Sequence, residues 1–152
     1  LYITPLIETM KHPFPRLSKY KLRVHKSKTG HGLFATEKIP SNRFLMEYWG
    51  KLVSDDVAQK IGGRYLFELE NGKTIVGTTH KNTARYANHS CRPNAEVRIT
   101  GNRVFLFSIK PINQNDEIVY DYGKEYWNAF IKPKGCLCVP CVKKKLKSTI
   151  IF

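Results

Sequence analysis

The chain has 152 residues, 41% hydrophobic and 25% charged, a length and balance that suit one globular domain with its own core. No run of eighteen apolar residues occurs, which excludes a membrane-spanning helix and a membrane partner of that kind. The formal charge of +14 sits at the ends: residues 1–30 carry seven Lys/Arg against Glu8, residues 123–152 carry seven against Glu125, and the middle is nearly neutral. Such ends suit contact with a polyanion such as DNA, and equally suit two solvated tails. The first residue is Leu, so the chain reads as a fragment or a processed product.

Residues 1–18 hold three prolines and little periodicity, and are read as an irregular arm. "YKLRVHKS" (20–27) alternates Leu22 and Val24 against basic residues, a strand pattern. "KTGHGLFA" (28–35) sets two glycines one residue apart, where the backbone must turn or approach something closely. "RFLMEYWGKLVS" (43–54) reads as a strand broken at Gly50. "RYLFEL" (64–69) and "KTIVG" (73–77) flank Glu70-Asn71-Gly72, a hairpin signal, and "AEVRIT" and "RVFLFSI" flank a second one at Gly101-Asn102. "DEIVYDYG" (116–123) predicts a short strand ending at glycine, and residues 55–61 and 80–87 each suit a short helix. About seven short strands with turns between them predict a mostly β domain.

The four cysteines carry the first chemistry. Cys136, Cys138 and Cys141 form C-x-C-x2-C, and such a triad wants a fourth ligand; Cys91, in "RYANHSCRPN" (85–94), is the one cysteine left. Four thiolates would close a tetrahedral shell and make a structural Zn2+ site that pins the tail beside Asn88 and His89. The alternatives are thiols without metal, or disulfides in a secreted setting that nothing else here suggests. Asn-His taken alone is turn chemistry, Gly-x-Gly alone lacks the spacing of a dinucleotide fingerprint, and Tyr120 and Tyr122 alone read as core tyrosines on one strand face.

Together these segments resemble the SET-domain protein lysine methyltransferases. "KTGHGLFA" is similar to that family's x-x-G-x-G-L-F-A, "YLFEL" to its middle strand, "RYANHSCRPN" to R-F-x-N-H-S-C-x-P-N and "NDEIVYDYG" to E-E-[IL]-x-[YF]-D-Y-G. The terminal cysteines resemble its post-SET zinc cluster, and the matches keep the family's order over roughly residues 20–141. The resemblance implies a β-clip of small sheets with a C-terminal pseudoknot and few short helices. It divides the chain into a basic arm (1–19), a catalytic domain (20–130) and a zinc-binding tail (131–152). It implies S-adenosylmethionine as cofactor, contacted by Gly30, His31 and Gly32, by Arg85, Asn88 and His89, by Tyr65 and Tyr122, and covered by Leu137. Tyr122, Tyr120 and Tyr65 take the catalytic positions, Phe67, Tyr120 and Trp127 the lysine channel, and Cys91, Cys136, Cys138 and Cys141 the zinc.

The implied reaction needs these residue types. A lysine amine must be neutral to accept a methyl group, and neutralising it near pH 7.4 costs roughly 4 kcal/mol. An oily aromatic channel beside a sulfonium charge lowers that cost. A second hydroxyl at Tyr120 crowds a nitrogen that already bears methyl groups, so monomethylation is expected. The expected substrate is a protein lysine, with a histone tail favoured, DNA or nucleosome contact through the basic ends, and a nuclear location. A non-histone substrate, or a catalytically idle chromatin- or nucleic-acid-binding module, are the alternatives. The sequence departs from the family's pattern in the x2 spacing of its last two cysteines, in Tyr86 and Ala87, and in short stretches before Tyr65 and Arg85 that leave substrate choice open.

Overall fold

A computed structural model describes residues 16, 17 and 19–149. Most of the irregular arm expected at the N-terminus therefore lies outside the described residues.

Among the described residues, ten short strands form three small sheets. The first has the order β1 (Leu22–Ser27), β2 (Gly30–Ala35), β10 (Glu117–Tyr120), β7 (Asn88–His89). The second is β3 (Phe44–Tyr48), β9 (Arg103–Ser108), β8 (Ala95–Thr100), and the third β4 (Lys51–Ser54), β6 (Lys73–Val76), β5 (Leu66–Leu69). Helix α1 (Asp55–Ile61) follows β4, a helical turn α2 (Lys124–Tyr126) runs on through Trp127–Ile131, and α3 (Val139–Thr149) ends the described chain. This is the mostly β arrangement of small sheets and few short helices that the sequence predicts.

Both hairpins form where the sequence marks them. Gly72 and Gly101 turn β5 into β6 and β8 into β9 at φ of 75° and 58°, a region that side chains with a Cβ disfavour. The chain breaks between β3 and β4 at Trp49-Gly50, as read. The helix expected at 80–87 is instead one 3-10 turn, Thr83–Tyr86, too short for an α-helical ladder. α3 was not anticipated: its lysine run and central cysteine hide a weak helical pattern of Val139, Val142 and Leu146.

The core gathers Leu33, Ile39, Leu45, Val104, Leu106, Ile112 and Ile118, each at most 1% exposed. Strand β9 is buried along five consecutive residues, Val104–Ser108, and centres the second sheet. Arg103 on that strand forms a two-point ion pair with the buried Glu47, both contacts at 2.8 Å. On the outer side of β3, Leu17 bridges to Met46 and the Arg16 carbonyl accepts the Glu47 N–H, so the residues before β1 partly cover an edge strand.

One crossing of the chain positions the site. β10 pairs antiparallel with β2 and parallel with β7, whose partners are Val119↔Asn88 and Tyr120↔His89. A parallel pair needs a long connection, and β8 and β9 supply it. Asn94, 9% exposed, sews the junction: its Nδ2 donates to the Glu117 carbonyl at 2.8 Å, its Oδ1 accepts the Val119 N–H at 2.9 Å, and its own N–H reaches the Val119 carbonyl. The "NHSC" turn and the "YDYG" segment, about thirty residues apart in sequence, thereby lie side by side.

Candidate active site

Two features meet at His89. On one side is a cleft of about 270 Å³, lined by Lys28 and Thr29 of the β1–β2 turn, by Asn88, His89 and Ser90, by Glu117 and Val119 of β10, and by Leu137 to Pro140. On the other is a cluster of tyrosines around Tyr120 and Tyr122.

In the cleft, the Asn88 amide is held in place. Its Nδ2 lies 2.7 Å from Glu117 Oε1, 2.9 Å from the His31 carbonyl and 3.2 Å from Ser27 Oγ, more acceptors than its two hydrogens can serve linearly. A Cβ on Gly32 would stand 2.4 Å from Glu117 Oε1, so it would push aside the carboxylate that holds Asn88. Gly30, His31 and Gly32 do not themselves line the cleft; they buttress Asn88, which does. Leu137 lines the cleft yet is 60% exposed, so it presents an apolar lip to whatever enters.

The tyrosine cluster is tight. The rings of Tyr120 and Tyr122 are 4.8 Å apart, and Tyr126 meets Tyr122 edge-on at 4.9 Å. The Tyr122 hydroxyl donates to the Ala87 carbonyl at 2.8 Å, and its backbone N–H donates to His89 Nδ1 at 3.3 Å. Burial raises the phenols of Tyr120 and Tyr122, and that of Tyr48, well above the ordinary tyrosine value, with neighbouring tyrosines adding to it in Tyr120 and Tyr122. They are protonated hydroxyls, donors rather than bases. Phe67 packs on Tyr48 at 5.5 Å, and the Arg85 guanidinium lies 3.6 Å over the ring of Tyr65 and donates to the Thr78 carbonyl. Arg85 Nε is buried with no partner among the described residues.

The sequence-marked residues thus divide between two places. Asn88, His89 and Leu137 come together in the cleft; Tyr120 and Tyr122 come together behind it, with Arg85 stacked on Tyr65 and Phe67 on Tyr48. Trp127 stands against His89, ring to ring at 5.5 Å, while its neighbour Tyr126 takes the place beside Tyr122. Tyr48, Tyr126, Lys28, Thr29 and Glu117 were missed. Tyr126 follows Tyr122 by four residues, and Tyr48 lies in a strand whose every neighbour is apolar or buried; only tertiary pairing reveals either.

The cysteines form the third part. The Sγ atoms of Cys91, Cys136, Cys138 and Cys141 all lie within 4.8 Å of one another, with Cys91 3.9 Å from Cys136 and 3.6 Å from Cys141. Zinc–thiolate bonds of about 2.3 Å in a tetrahedron set sulfurs about 3.8 Å apart, so the donor set fits a closed structural zinc site. Burial, first among several causes, pushes the Cys136 thiol up to about 11, and a divalent cation reverses such a shift by taking the thiolate. The Cys138 N–H donates to Cys136 Sγ at 3.5 Å, a contact that favours a sulfur carrying negative charge.

Residues 30–123 match the SET domain, and the three-sheet fold with its β7–β10 junction agrees: the chain belongs to the SET-domain family. Relatives include a putative histone-lysine N-methyltransferase, ASHH4, of Arabidopsis thaliana, 32% identical over 155 residues that cover 91% of this chain and 43% of that protein. Histone-lysine N-methyltransferase ASHH1 of the same plant is 36% identical over 122 residues, 72% of this chain and 24% of its own length. Histone-lysine N-methyltransferase Set2 of Drosophila melanogaster is 35% identical over 127 residues, 72% of this chain and 6% of its own length. The chain spans less than half the length of each.

Proposed function

We propose that this chain is a protein-lysine N-methyltransferase that uses S-adenosylmethionine, acts on a histone tail in the nucleus, and favours the monomethyl product. The observation that carries the reading is the junction at His89, which sets a cleft with a few polar side chains and an apolar lip back to back with a buried pair of protonated tyrosines. The relatives named as histone-lysine methyltransferases support both the activity and the substrate class. Among the described residues no helix is long and apolar enough to cross a membrane.

The cleft suits the cofactor's chemistry: an apolar lip at Leu137 for a purine, and a fixed Asn88 amide and neighbouring carbonyls for its polar atoms. The unpartnered buried Nε of Arg85, on a guanidinium already stacked on Tyr65, offers a further donor on the tyrosine side. Bound S-adenosylmethionine supplies an electrophilic methyl group. The chain's own part is to bring the amine there uncharged and aimed. Tyr65, Phe67, Tyr120 and Tyr122 surround it with ring faces that solvate an ammonium poorly compared with water, which lowers the roughly 4 kcal/mol cost of neutralising it. The Tyr122 hydroxyl, anchored on Ala87, is positioned to orient rather than to abstract. The rate comes chiefly from alignment and preorganised dipoles. Zinc held by the four cysteines orders the tail that carries Leu137.

Incubation with isotopically labelled S-adenosylmethionine and a panel of histones, nucleosomes and cell extract tests the reading, with the Tyr122→Phe variant as control. Labelling of histones places the substrate; labelling confined to other proteins moves it; calorimetry showing no cofactor binding makes the chain an idle module.

A further inference from the structure

We propose that the His89 imidazole is a positioning group that ties the cysteine cluster to Tyr122: its Nε2–H donates to the Cys91 thiolate while its Nδ1 accepts the backbone N–H of Tyr122. The geometry fixes the direction of both bonds. His89 Nε2 lies 3.5 Å from Cys91 Sγ, and His89 Nδ1 lies 3.3 Å from the Tyr122 nitrogen. A backbone N–H can only donate, so Nδ1 is the bare nitrogen and the single proton of a neutral ring sits on Nε2, facing the sulfur. Among the described residues the one rival for a proton on Nδ1 is Asp121, whose Oδ1 stands at 3.8 Å, largely exposed, and already accepts the Gly123 N–H at 3.0 Å.

The ring is clamped as well as bonded. Tyr122 and Trp127 each pack on it at 5.5 Å, and its side chain is 8% exposed. A thiolate bound to a cation gains from an N–H donor, and such outer contacts orient the ligand they touch. Loading the cysteines therefore does more than order the tail. It fixes one imidazole, and that imidazole fixes the backbone from which the Tyr122 hydroxyl projects. The kinetic half of this inference rests on the methyltransferase reading; the metal half does not.

The full chain, loaded with ¹¹³Cd²⁺, tests it by nitrogen NMR of His89. The expected result is a neutral ring protonated on Nε2, with scalar coupling from that proton to the cadmium through sulfur; a ring protonated on Nδ1 overturns the proposal. Two variants separate the halves. In His89→Asn the amide oxygen keeps the place of Nδ1 and nothing reaches Cys91, so zinc affinity, read by competition with a chromophoric chelator, falls about 10- to 100-fold. In His89→Gln the amide nitrogen keeps the place of Nε2, so zinc affinity stays within about threefold while kcat falls and the peptide KM holds. Equal zinc affinities in the two variants, or a wild-type kcat in His89→Gln, overturn it. If the wild-type chain transfers no methyl group yet the tautomer and the zinc affinities come out as stated, the activity reading fails and the tie between His89 and Cys91 stands.

Discussion

The hydroxyl of Tyr122 donates to the carbonyl of Ala87 at 2.8 Å, closing the strand that carries the tyrosine onto the turn that carries Asn88 and His89. Removing that hydroxyl removes a donor and leaves the ring. Tyr122→Phe keeps the packing against Tyr120 and Tyr126, so the fold survives with a loss of about 1 kcal/mol, a few degrees in Tm. Methyl transfer, measured with labelled cofactor, falls about 100-fold because orientation of the amine is lost. A variant as active as the wild type would remove Tyr122 from the chemistry.

Tyr120 sits 4.8 Å from Tyr122, 8% exposed, with no hydrogen-bond partner for its hydroxyl among the described residues. A hydroxyl in that position takes the volume and the hydrogen bond that a methylated nitrogen would need freed. Tyr120→Phe therefore shifts the product from monomethyl to di- and trimethyl-lysine, read by mass spectrometry of a peptide substrate. The same distribution in variant and wild type would locate product control elsewhere, with Tyr48 the next residue to change.

The strands were legible because their signals are local: Asn-Gly at the β5–β6 turn, alternation in β1, the break at Gly50. The cysteine cluster was legible by counting, since a triad with one cysteine left over allows few arrangements. What did not show was whatever depends on pairing between distant segments. The two-residue β7 has no local pattern and exists because Asn94 satisfies β10 with a side chain where backbone is missing. Tyr48 and Tyr126 approach the Tyr120–Tyr122 pair from segments far apart in sequence. Trp127 packs on His89 while Tyr126 takes the Tyr122 side, because helical geometry turns successive residues about 100° apart.

Zinc removal should loosen the tail and spare the core. Among the described residues, those that fill the core all precede Tyr122, and the tail contributes only Cys136 and Cys138 to the buried hydrophobic set. Chelation, or Cys91→Ser, leaves the β-sheet circular dichroism in place, opens protease cleavage in residues 132–149, and weakens cofactor binding at least tenfold as Leu137 is released. Global unfolding on chelation would show instead that the cluster holds the whole domain together.

Alkaline pH should unfold the domain through its buried phenols. Tyr48, Tyr120 and Tyr122 have their folded values raised by burial above the ordinary value of about 10. Above that pH the unfolded chain releases these protons and the folded chain keeps them. The folded state binds more protons, so stability falls as pH rises. The stabilisation is complete below about pH 10 and is lost progressively above it. Absorbance at 295 nm during a pH titration should show these tyrosines ionising together with loss of the circular-dichroism signal; stepwise ionisation in a still-folded protein would contradict their burial.

The basic C-terminal helix makes the last prediction, for nucleic acid. Lys143, Lys144 and Lys147 are exposed on α3, and Lys132 and Lys134 are exposed just before the cysteines. If the positive charge serves to hold DNA beside a histone, binding is electrostatic and insensitive to sequence, and it releases counterions. Each phosphate neutralised adds about 0.9 to the slope of log affinity against log salt. Changing Lys143, Lys144 and Lys147 together to Gln should therefore flatten the slope by about 2.7 and weaken binding at low salt, read by fluorescence anisotropy on a labelled duplex. Activity on a short histone peptide should not change, because none of the three lines the cleft or touches the tyrosine cluster, whereas activity on nucleosomes should fall. Equal slopes before and after the substitution would mean that the lysines serve solubility, and that the histone tail finds the site without help from DNA.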